Sequence, residues 1–202
     1  FTGANGTLSR NNGSSGILYI GLGTGNGSRG QLDLSGLGNF NATVNHIELG
    51  TAGESRAAGT LYLAMTNTLV ATYATAYDSS GTGRNNVAID IGDQNSNNGG
   101  INYFYLGLTN GIFANTIVVA KQKVRGNVLF NPAFTNSNPT AYFRASDQVS
   151  PVSVWAIGDG QGNTGTTTAS GTVDFTGGSV DALVNTMYIG RASSTGTAAN
   201  AT

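Results

Sequence analysis

Cysteine is absent from the 202-residue sequence, so disulfide bonds cannot hold the fold together and stability must come from packing and β-sheet hydrogen bonds. Charge is scarce: charged residues make up 9% of the chain, and the formal net charge is −1. The nine basic residues are scattered, which argues against a nucleic-acid partner because phosphate binding needs clustered lysine and arginine. No apolar run reaches the roughly 18 residues of a transmembrane helix, so membrane insertion is not expected.

Glycine is abundant, with 31 residues, and 39% of the chain is hydrophobic. Disordered chains combine low hydrophobicity with high net charge, so this composition predicts a folded protein. Short apolar runs alternate with glycine, asparagine, serine and threonine, which is typical of an all-β protein with many tight turns. The low charge, the abundance of serine, threonine and asparagine and the presence of only two lysines predict an extracellular or cell-surface location.

A short pattern of alternating apolar residues, closed by a small residue, recurs along the whole chain. Its copies end at the closing residues Gly21, Gly50, Gly92, Ala120, Gly158 and Gly190. Their spacings of 29, 42, 28, 38 and 32 residues alternate between short and long, which indicates a unit of two coils. Positions 50, 120 and 190 lie 70 residues apart, so the chain holds roughly three copies of a 70-residue unit.

Asparagine precedes three of the closing residues by five positions, at Asn45, Asn115 and Asn185. Asparagine tolerates turn conformations, and its amide can bond to the backbone at a bend or stack in a ladder. We therefore expect these three residues to have a structural role at corners of the fold.

Two further apolar segments follow the closing residues, for example 31–34 and 40–43 after the first one. Three short strands per coil form the cross-section of a three-sided parallel β-helix, in which alternate residues point inward and stacking buries them. We predict one all-β domain over residues 1–202, a β-solenoid of this type with about six coils and no cap at either end. A β-sandwich is the alternative, and the regular return of equivalent residues disfavours it.

Catalysis on such a fold would require convergent groups, and glycoside hydrolysis needs two carboxylates that flank one bond. The candidate carboxylates are Asp33, Glu48, Asp90, Asp93, Asp159, Asp174 and Asp181. Asp33, Asp90 and Asp174 alternate with apolar neighbours and are expected to point outward. The sequence lacks a paired acid motif and the motifs of the pectin hydrolases that use this fold. We assign no catalytic residue, although adjacent coils could bring two acids together, so a polysaccharide lyase or hydrolase is the second alternative function.

Signals for a metal site are weak. The single histidine, His46, stands at the start of a strand and is expected to be a corner residue. Segments 93–99 and 159–163 carry oxygen side chains at alternate positions, as calcium-binding loops do. Each segment has only one acid, so a polar turn explains it better. We expect no metal and no cofactor.

Sequons for N-glycosylation occur at Asn5, Asn12, Asn26, Asn41 and Asn200. A chain so rich in asparagine, serine and threonine contains about this number by chance. A glycan at any of these positions is expected to lie on an outward turn.

The two ends of the sequence look like parts of a single coil. Gly21 and Gly50 are each followed thirteen positions later by an apolar residue, and the thirteenth position after Gly190 would be 203. In a following copy Phe1 would fill that position, and the joined sequence would resemble segment 173–177. We therefore predict a junction between copies of the chain stacked end to end, or a continuation of a longer tandem array. The junction residues are Phe1, Thr2, Gly3, Asn200, Ala201 and Thr202.

Three phrases resemble the repeats of bacterial autotransporter-type and related cell-surface β-solenoid proteins: Gly59-Thr-Leu-Tyr-Leu, Asn115-Thr-Ile-Val-Val-Ala and Asn185-Thr-Met-Tyr-Ile-Gly. The resemblance implies an extracellular stalk, adhesin or fibre, usually without catalysis. We predict a structural extracellular β-solenoid, the building block of a filament or surface fibre. The first alternative is an adhesin or glycan-binding module. Its aromatic strip would come from Tyr62, Tyr73, Tyr77, Tyr103, Tyr105 and Tyr142 if several of them face outward.

Overall fold

The chain forms three parallel β-sheets that wrap into a three-sided solenoid, which confirms the predicted all-β parallel β-helix. The architecture is that of a computed structural model, which describes residues 1–22, 27–51, 57–78, 87–94, 100–163, 166–192 and 198–202. Eighteen strands in these ranges make six coils, and each coil contributes one strand to each sheet.

The first strand of each coil belongs to sheet A, the second to sheet B and the third to sheet C. Coils 1 and 2 contain β1 (Thr2–Asn11), β2 (Ile17–Ile20), β3 (Arg29–Asp33), β4 (Gly36–Val44), β5 (His46–Leu49) and β6 (Ala58–Tyr62). Coils 3 and 4 contain β7 (Thr66–Ala71), β8 (Ile89–Gln94), β9 (Ile101–Leu106), β10 (Thr109–Ala114), β11 (Thr116–Gln122) and β12 (Arg125–Phe130). Coils 5 and 6 contain β13 (Thr140–Arg144), β14 (Val152–Asp159), β15 (Ser170–Asp174), β16 (Ser179–Ala182), β17 (Val184–Arg191) and β18 (Asn200–Ala201).

Helical structure is confined to short turns in the described part of the chain. Two 3₁₀ helices, Gly13–Ser15 and Thr135–Ser137, connect strands. Within the same ranges, no helix has the length and apolar character needed to cross a membrane.

The register of sheet B reproduces the spacings seen in the sequence. One inward column runs through Ile20, Leu49, Ile91, Val119, Ile157 and Ile189. Successive members are 29, 42, 28, 38 and 32 residues apart, as the closing residues are. Two coils therefore advance the chain by 70 residues from Leu49 to Val119 and again from Val119 to Ile189.

The inward residues of the three sheets form one continuous core, because each strand turns every second side chain inward. In sheet C an inward column contains Leu32, Leu61, Phe104, Val128 and Val173. A polar pair lies in the inward column of sheet A: Asn67 Nδ2 donates a hydrogen bond to Asn110 Oδ1 at 2.9 Å, and both residues are 2% exposed. An asparagine ladder thus exists inside sheet A, at positions that the 70-residue repeat did not indicate.

The corner between sheets B and C explains why a small residue closes each repeat. All six closing residues have positive φ, between 58° and 93°. Glycine adopts this left-handed conformation without a Cβ penalty. The first part of strand β6 packs against the corner so closely that a Cβ on Gly59 would overlap the carbonyl oxygen of Ile20. Ala120 is the one closing residue with a side chain, and its φ of 64° is therefore strained.

Two of the three asparagines predicted at corners lie at the bends between sheets A and B. Asn45 separates β4 from β5, and Asn115 separates β10 from β11. The Asn115 Oδ1 atom accepts hydrogen bonds from the backbone N–H and the hydroxyl of Ser146, both at 3.2 Å. Asn185, by contrast, lies inside strand β17.

Candidate functional site

The outer face of sheet B is covered by protein along its middle strands, β8 and β11. Strands β8 and β11 are buried along their whole length, including the side chains that point away from the core. Part of the cover is the segment after β7, since Tyr77 packs with Val118 and Ala156, and the ring of Tyr73 lies 4.5 Å from that of His46. The outward side chains of β8 and β11 are therefore held in a protein interior rather than in water.

His46 is part of this covered face. It begins strand β5, is 2% exposed, and its Nδ1 atom lies 2.7 Å from the Val87 carbonyl oxygen. Across the described ranges, no group of three or more histidine, aspartate or glutamate residues is arranged to hold a metal ion. Of the loops considered for calcium, 95–99 lies outside the described residues, and Asp159 in the other loop is bonded to protein groups.

Charged side chains of alternating sign line the end of sheet B, and we call Asp93, Lys121, Asp159 and Arg191 the charge ladder. Each one directly follows a closing residue, and the parallel register sets them on adjacent strands. Lys121 Nζ lies 3.7 Å from Asp93 Oδ2, and both side chains are 1% exposed. Arg191 donates two hydrogen bonds to Asp159, of which the bond from Nε measures 2.9 Å. Burial strengthens these interactions because little water screens them.

Tyr77 ties the covering segment to the charge ladder. Its hydroxyl donates a hydrogen bond to Asp159 Oδ2, and Lys121 Nζ lies 5.5 Å from the centroid of its ring. Burial, and after it the Asp159 carboxylate, raise the pKa of Tyr77 well above its usual value. The phenol therefore stays protonated and acts as a hydrogen-bond donor.

Two carboxylates stand side by side beneath the same cover. The register places Glu48 on β5 beside Asp90 on β8, and each residue is 1% exposed. Burial raises the pKa of Asp90 well above its ordinary value, Asp93 and Glu48 add to the rise, and Lys121 opposes it. Glu48 accepts a hydrogen bond from Thr51 at 2.7 Å, whereas Asp90 Oδ1 has no hydrogen-bond partner among the described residues. Asp90 consequently holds its proton more tightly than a carboxylate in water.

The structure brings three of the seven candidate carboxylates together, namely Glu48, Asp90 and Asp93, and separates the others. Asp33 and Asp174 are exposed on sheet C, at opposite ends of one outward column. Asp181 forms an ion pair of 2.9 Å with Arg144 of sheet A. The strand alternation correctly predicted that Asp90 points away from the core, but the pattern contains no signal for the protein that covers it.

The outer face of sheet C carries a groove of about 440 Å³. The groove follows β6, whose outward residues Ala58 and Thr60 are small. Longer outward residues of the two neighbouring strands form its walls: Arg29 and Gln31 on β3, and Ile101 and Tyr103 on β9. Since neighbouring strands lie about 4.8 Å apart, the walls are roughly 10 Å apart. One strand with short side chains between two strands with long ones therefore creates the groove.

Three tyrosines cluster beside this groove. The rings of Tyr62 and Tyr105 are stacked with centroids 4.4 Å apart, and those of Tyr103 and Tyr105 lie 5.5 Å apart with parallel planes. The other tyrosines considered for an aromatic strip lie on other faces, Tyr73 and Tyr77 at sheet B and Tyr142 on sheet A. The predicted single strip is therefore replaced by a compact cluster of three rings on sheet C.

The sequon asparagines that the structure describes are all exposed. Asn12 lies in a turn, whereas Asn5, Asn41 and Asn200 lie in strands β1, β4 and β18 rather than in the expected turns. Asn26 is outside the described residues.

Four of the six predicted junction residues lie on edge strands, with Thr2 and Gly3 in β1 and Asn200 and Ala201 in β18. Phe1 and Thr202 flank these strands.

The register at this edge differs from the expected one. The Phe1 amino group donates a hydrogen bond to the Asp33 carbonyl at 3.0 Å, and Val173 donates to the Thr202 carbonyl at 2.8 Å. The thirteen-residue spacing predicts that Phe1 of a following copy lies beside Phe175. In the observed register, a residue directly after Thr202 would lie beside Val173, two positions earlier. The spacing is therefore wrong for this coil, because the connections between sheets B and C differ in length.

Comparisons of the chain with protein-family models, curated proteins and solved structures gave no significant match. The structure supports the coarser part of the resemblance noted in the sequence, the parallel β-solenoid architecture. The finer part, a likeness to autotransporter-type surface proteins, stays a prediction from the sequence pattern.

Proposed function

We propose that the chain is a structural β-solenoid unit of an extracellular filament or surface fibre, in which further coils stack on the last one. The observation that carries this proposal is the exposed apolar surface of coil 6. Leu183, Met187 and Ile189 are 44%, 48% and 64% exposed. Met187 and Ile189 are in register with Trp155 and Ile157, which are only 2% and 8% exposed one coil earlier.

Met187 and Ile189 thus occupy core positions whose next layer is not part of the described residues. A further coil would cover them as coil 6 covers coil 5, which removes apolar surface from water. The edge strands β16, β17 and β18 offer backbone groups for in-register parallel pairing with such a coil. In the proposed filament, that coil belongs to a second copy of the chain.

Electron microscopy and sedimentation of the chain over a range of concentrations test the proposal. Six coils at about 4.8 Å each give a rod of roughly 29 Å, so we expect rods that lengthen in steps of this size as concentration rises. Ile189→Lys should shorten them by placing a charge in the stacking surface. Val149→Lys is the matched control, because Val149 is 74% exposed in the turn between β13 and β14. Single rods at all concentrations, or equal lengths for Ile189→Lys and the unmodified chain, would contradict the proposal.

A further inference from the structure

We propose that the groove on sheet C binds an acidic polysaccharide, with one uronic acid ring seated over β6 between the walls of β3 and β9. This site does not depend on end-to-end stacking, because it lies on a lateral face of the solenoid. Its volume of about 440 Å³ falls within the range of small-molecule sites in proteins.

The aromatic wall suits the apolar C–H face of a sugar ring. Tyr103 lines the groove, and parallel stacking with Tyr105, which itself stacks on Tyr62, supports its ring from the side. A tyrosine held in this way offers a large contact area and loses little conformational entropy when a ligand binds. Tyr103 is therefore the residue expected to contribute most to binding.

Polar groups on the remaining sides match the hydroxyls of a sugar. Gln31 supplies an amide that both donates and accepts hydrogen bonds, and Thr60 supplies a hydroxyl on the floor. A pocket that combines aromatic contact with a few polar groups fixes the orientation of its ligand as well as holding it.

The charge at one end of the groove selects an acidic sugar. Arg29 lines the groove, and Arg125 lies in the same outward row of sheet C, one strand beyond Ile101. Both arginines are exposed, and neither forms an ion pair with a carboxylate in the described ranges. The nearest acid on β3, Asp33, lies at the other end of that strand and accepts hydrogen bonds from Ser35 at 2.9 and 2.6 Å. A guanidinium binds a carboxylate through two parallel hydrogen bonds, which a neutral sugar cannot accept in the same way.

Isothermal titration calorimetry with oligogalacturonate and a neutral galacto-oligosaccharide of equal length tests the assignment. We expect the intact chain to bind the acidic ligand at least about tenfold more tightly, with an affinity that falls as salt rises. Arg29→Gln should reduce acidic binding about tenfold and leave neutral binding unchanged, whereas Tyr103→Ala should weaken both by about tenfold or more. The proposal is overturned if the chain binds neither ligand, or if it binds both with equal affinity.

Two further variants separate a lost contact from a damaged fold. Ala58→Leu fills the floor of the groove while Tyr103 and Arg29 stay in place. It should therefore abolish binding, and its circular dichroism spectrum should match that of the unmodified chain. Tyr142→Ala removes a tyrosine of sheet A and should leave the affinity unchanged. Unchanged binding in folded Ala58→Leu, or an equal loss in Tyr142→Ala, overturns the assignment of the groove even if Tyr103→Ala fails to fold.

Discussion

Sheets B and C are built by the same strand alternation, yet their outer faces have opposite surroundings. Lys121, which points outward from sheet B, is 1% exposed, whereas Arg29 on the outer face of sheet C is exposed. The difference comes from the connecting segments, because Tyr73 and Tyr77 after β7 lie against sheet B. In a solenoid, an outward position is therefore not the same as an exposed one.

Coverage changes what a charged residue does. Moving an ion out of water costs several kcal/mol, so a buried charge persists only with a partner. The charge ladder meets this requirement by alternating its sign from one coil to the next, and it holds the covering segment through Tyr77. Charges on sheet C keep their hydration and are free to meet a ligand.

The largest effect is expected from removing the central cation of the charge ladder. Lys121→Met leaves the buried carboxylates of Asp93 and Asp90 without it, and breaking a buried pair typically costs about 3–5 kcal/mol. Urea denaturation followed by circular dichroism measures the change. The matched substitution on sheet C, Arg29→Met, should change stability by less than about 0.5 kcal/mol. Similar small losses for both variants would show that the cover over sheet B does not isolate its charges from water.

The second effect concerns pH. Because the folded chain raises the pKa of Asp90, the folded state retains a proton that the unfolded state loses above about pH 4. Stability should therefore fall as pH rises from there towards the folded pKa, by at most about 1.4 kcal/mol per pH unit. Asp90→Asn removes this loss, so the variant should exceed the unmodified chain in stability at neutral pH and match it near pH 3. Denaturation curves recorded from pH 3 to 8 measure the difference.

Asp174 on sheet C provides the opposite case. Hydrogen bonds from Thr176 lower the pKa of Asp174, so its contribution to stability is present above about pH 4 and is lost as pH falls further. Asp174→Asn should consequently be slightly less stable at neutral pH. If both variants shifted stability in the same direction, the contrast between the covered and the open face would be wrong.

The two faces also differ in how far the sequence predicts them. The spacings between the closing residues predicted the register of sheet B correctly. For example, the 42 residues from Gly50 to Gly92 equal the offset between the paired residues Leu49 and Ile91. The groove could in principle be found by reading the outward residues Arg29, Ala58 and Ile101 across that register, but each strand alone contains no such signal. The cover over sheet B could not be found, because segment 72–78 has no strand period and its docking depends on tertiary packing.

A smaller effect is expected at the contact between the cover and the charge ladder. Tyr77→Phe removes the hydroxyl that donates to the buried Asp159, which should cost about 1–2 kcal/mol because Arg191 still pairs with that carboxylate. Tyr103→Phe on sheet C is the control, and it should leave stability nearly unchanged. Hydrogen exchange of β11 amides should speed up in Tyr77→Phe alone. Equal exchange in the two variants would mean that the cover does not depend on this hydrogen bond.

The smallest effect is expected at the corner where sheets B and C meet. Ala120 has a φ of 64°, a conformation that costs a residue with a side chain about 1 kcal/mol or more. Glycine removes that strain but increases the entropy of the unfolded chain, so Ala120→Gly should stabilise the protein by no more than about 1 kcal/mol. Gly158→Ala, at the same corner one coil later, should instead lower the stability, and by a larger amount, because its Cβ would overlap the carbonyl oxygen of Asn200. Thermal denaturation of both variants checks the pair. A loss of stability in Ala120→Gly would show that the packing of the alanine methyl group contributes more than its backbone conformation costs. The preference for glycine at this corner would then reflect the lack of space for a Cβ rather than the positive φ.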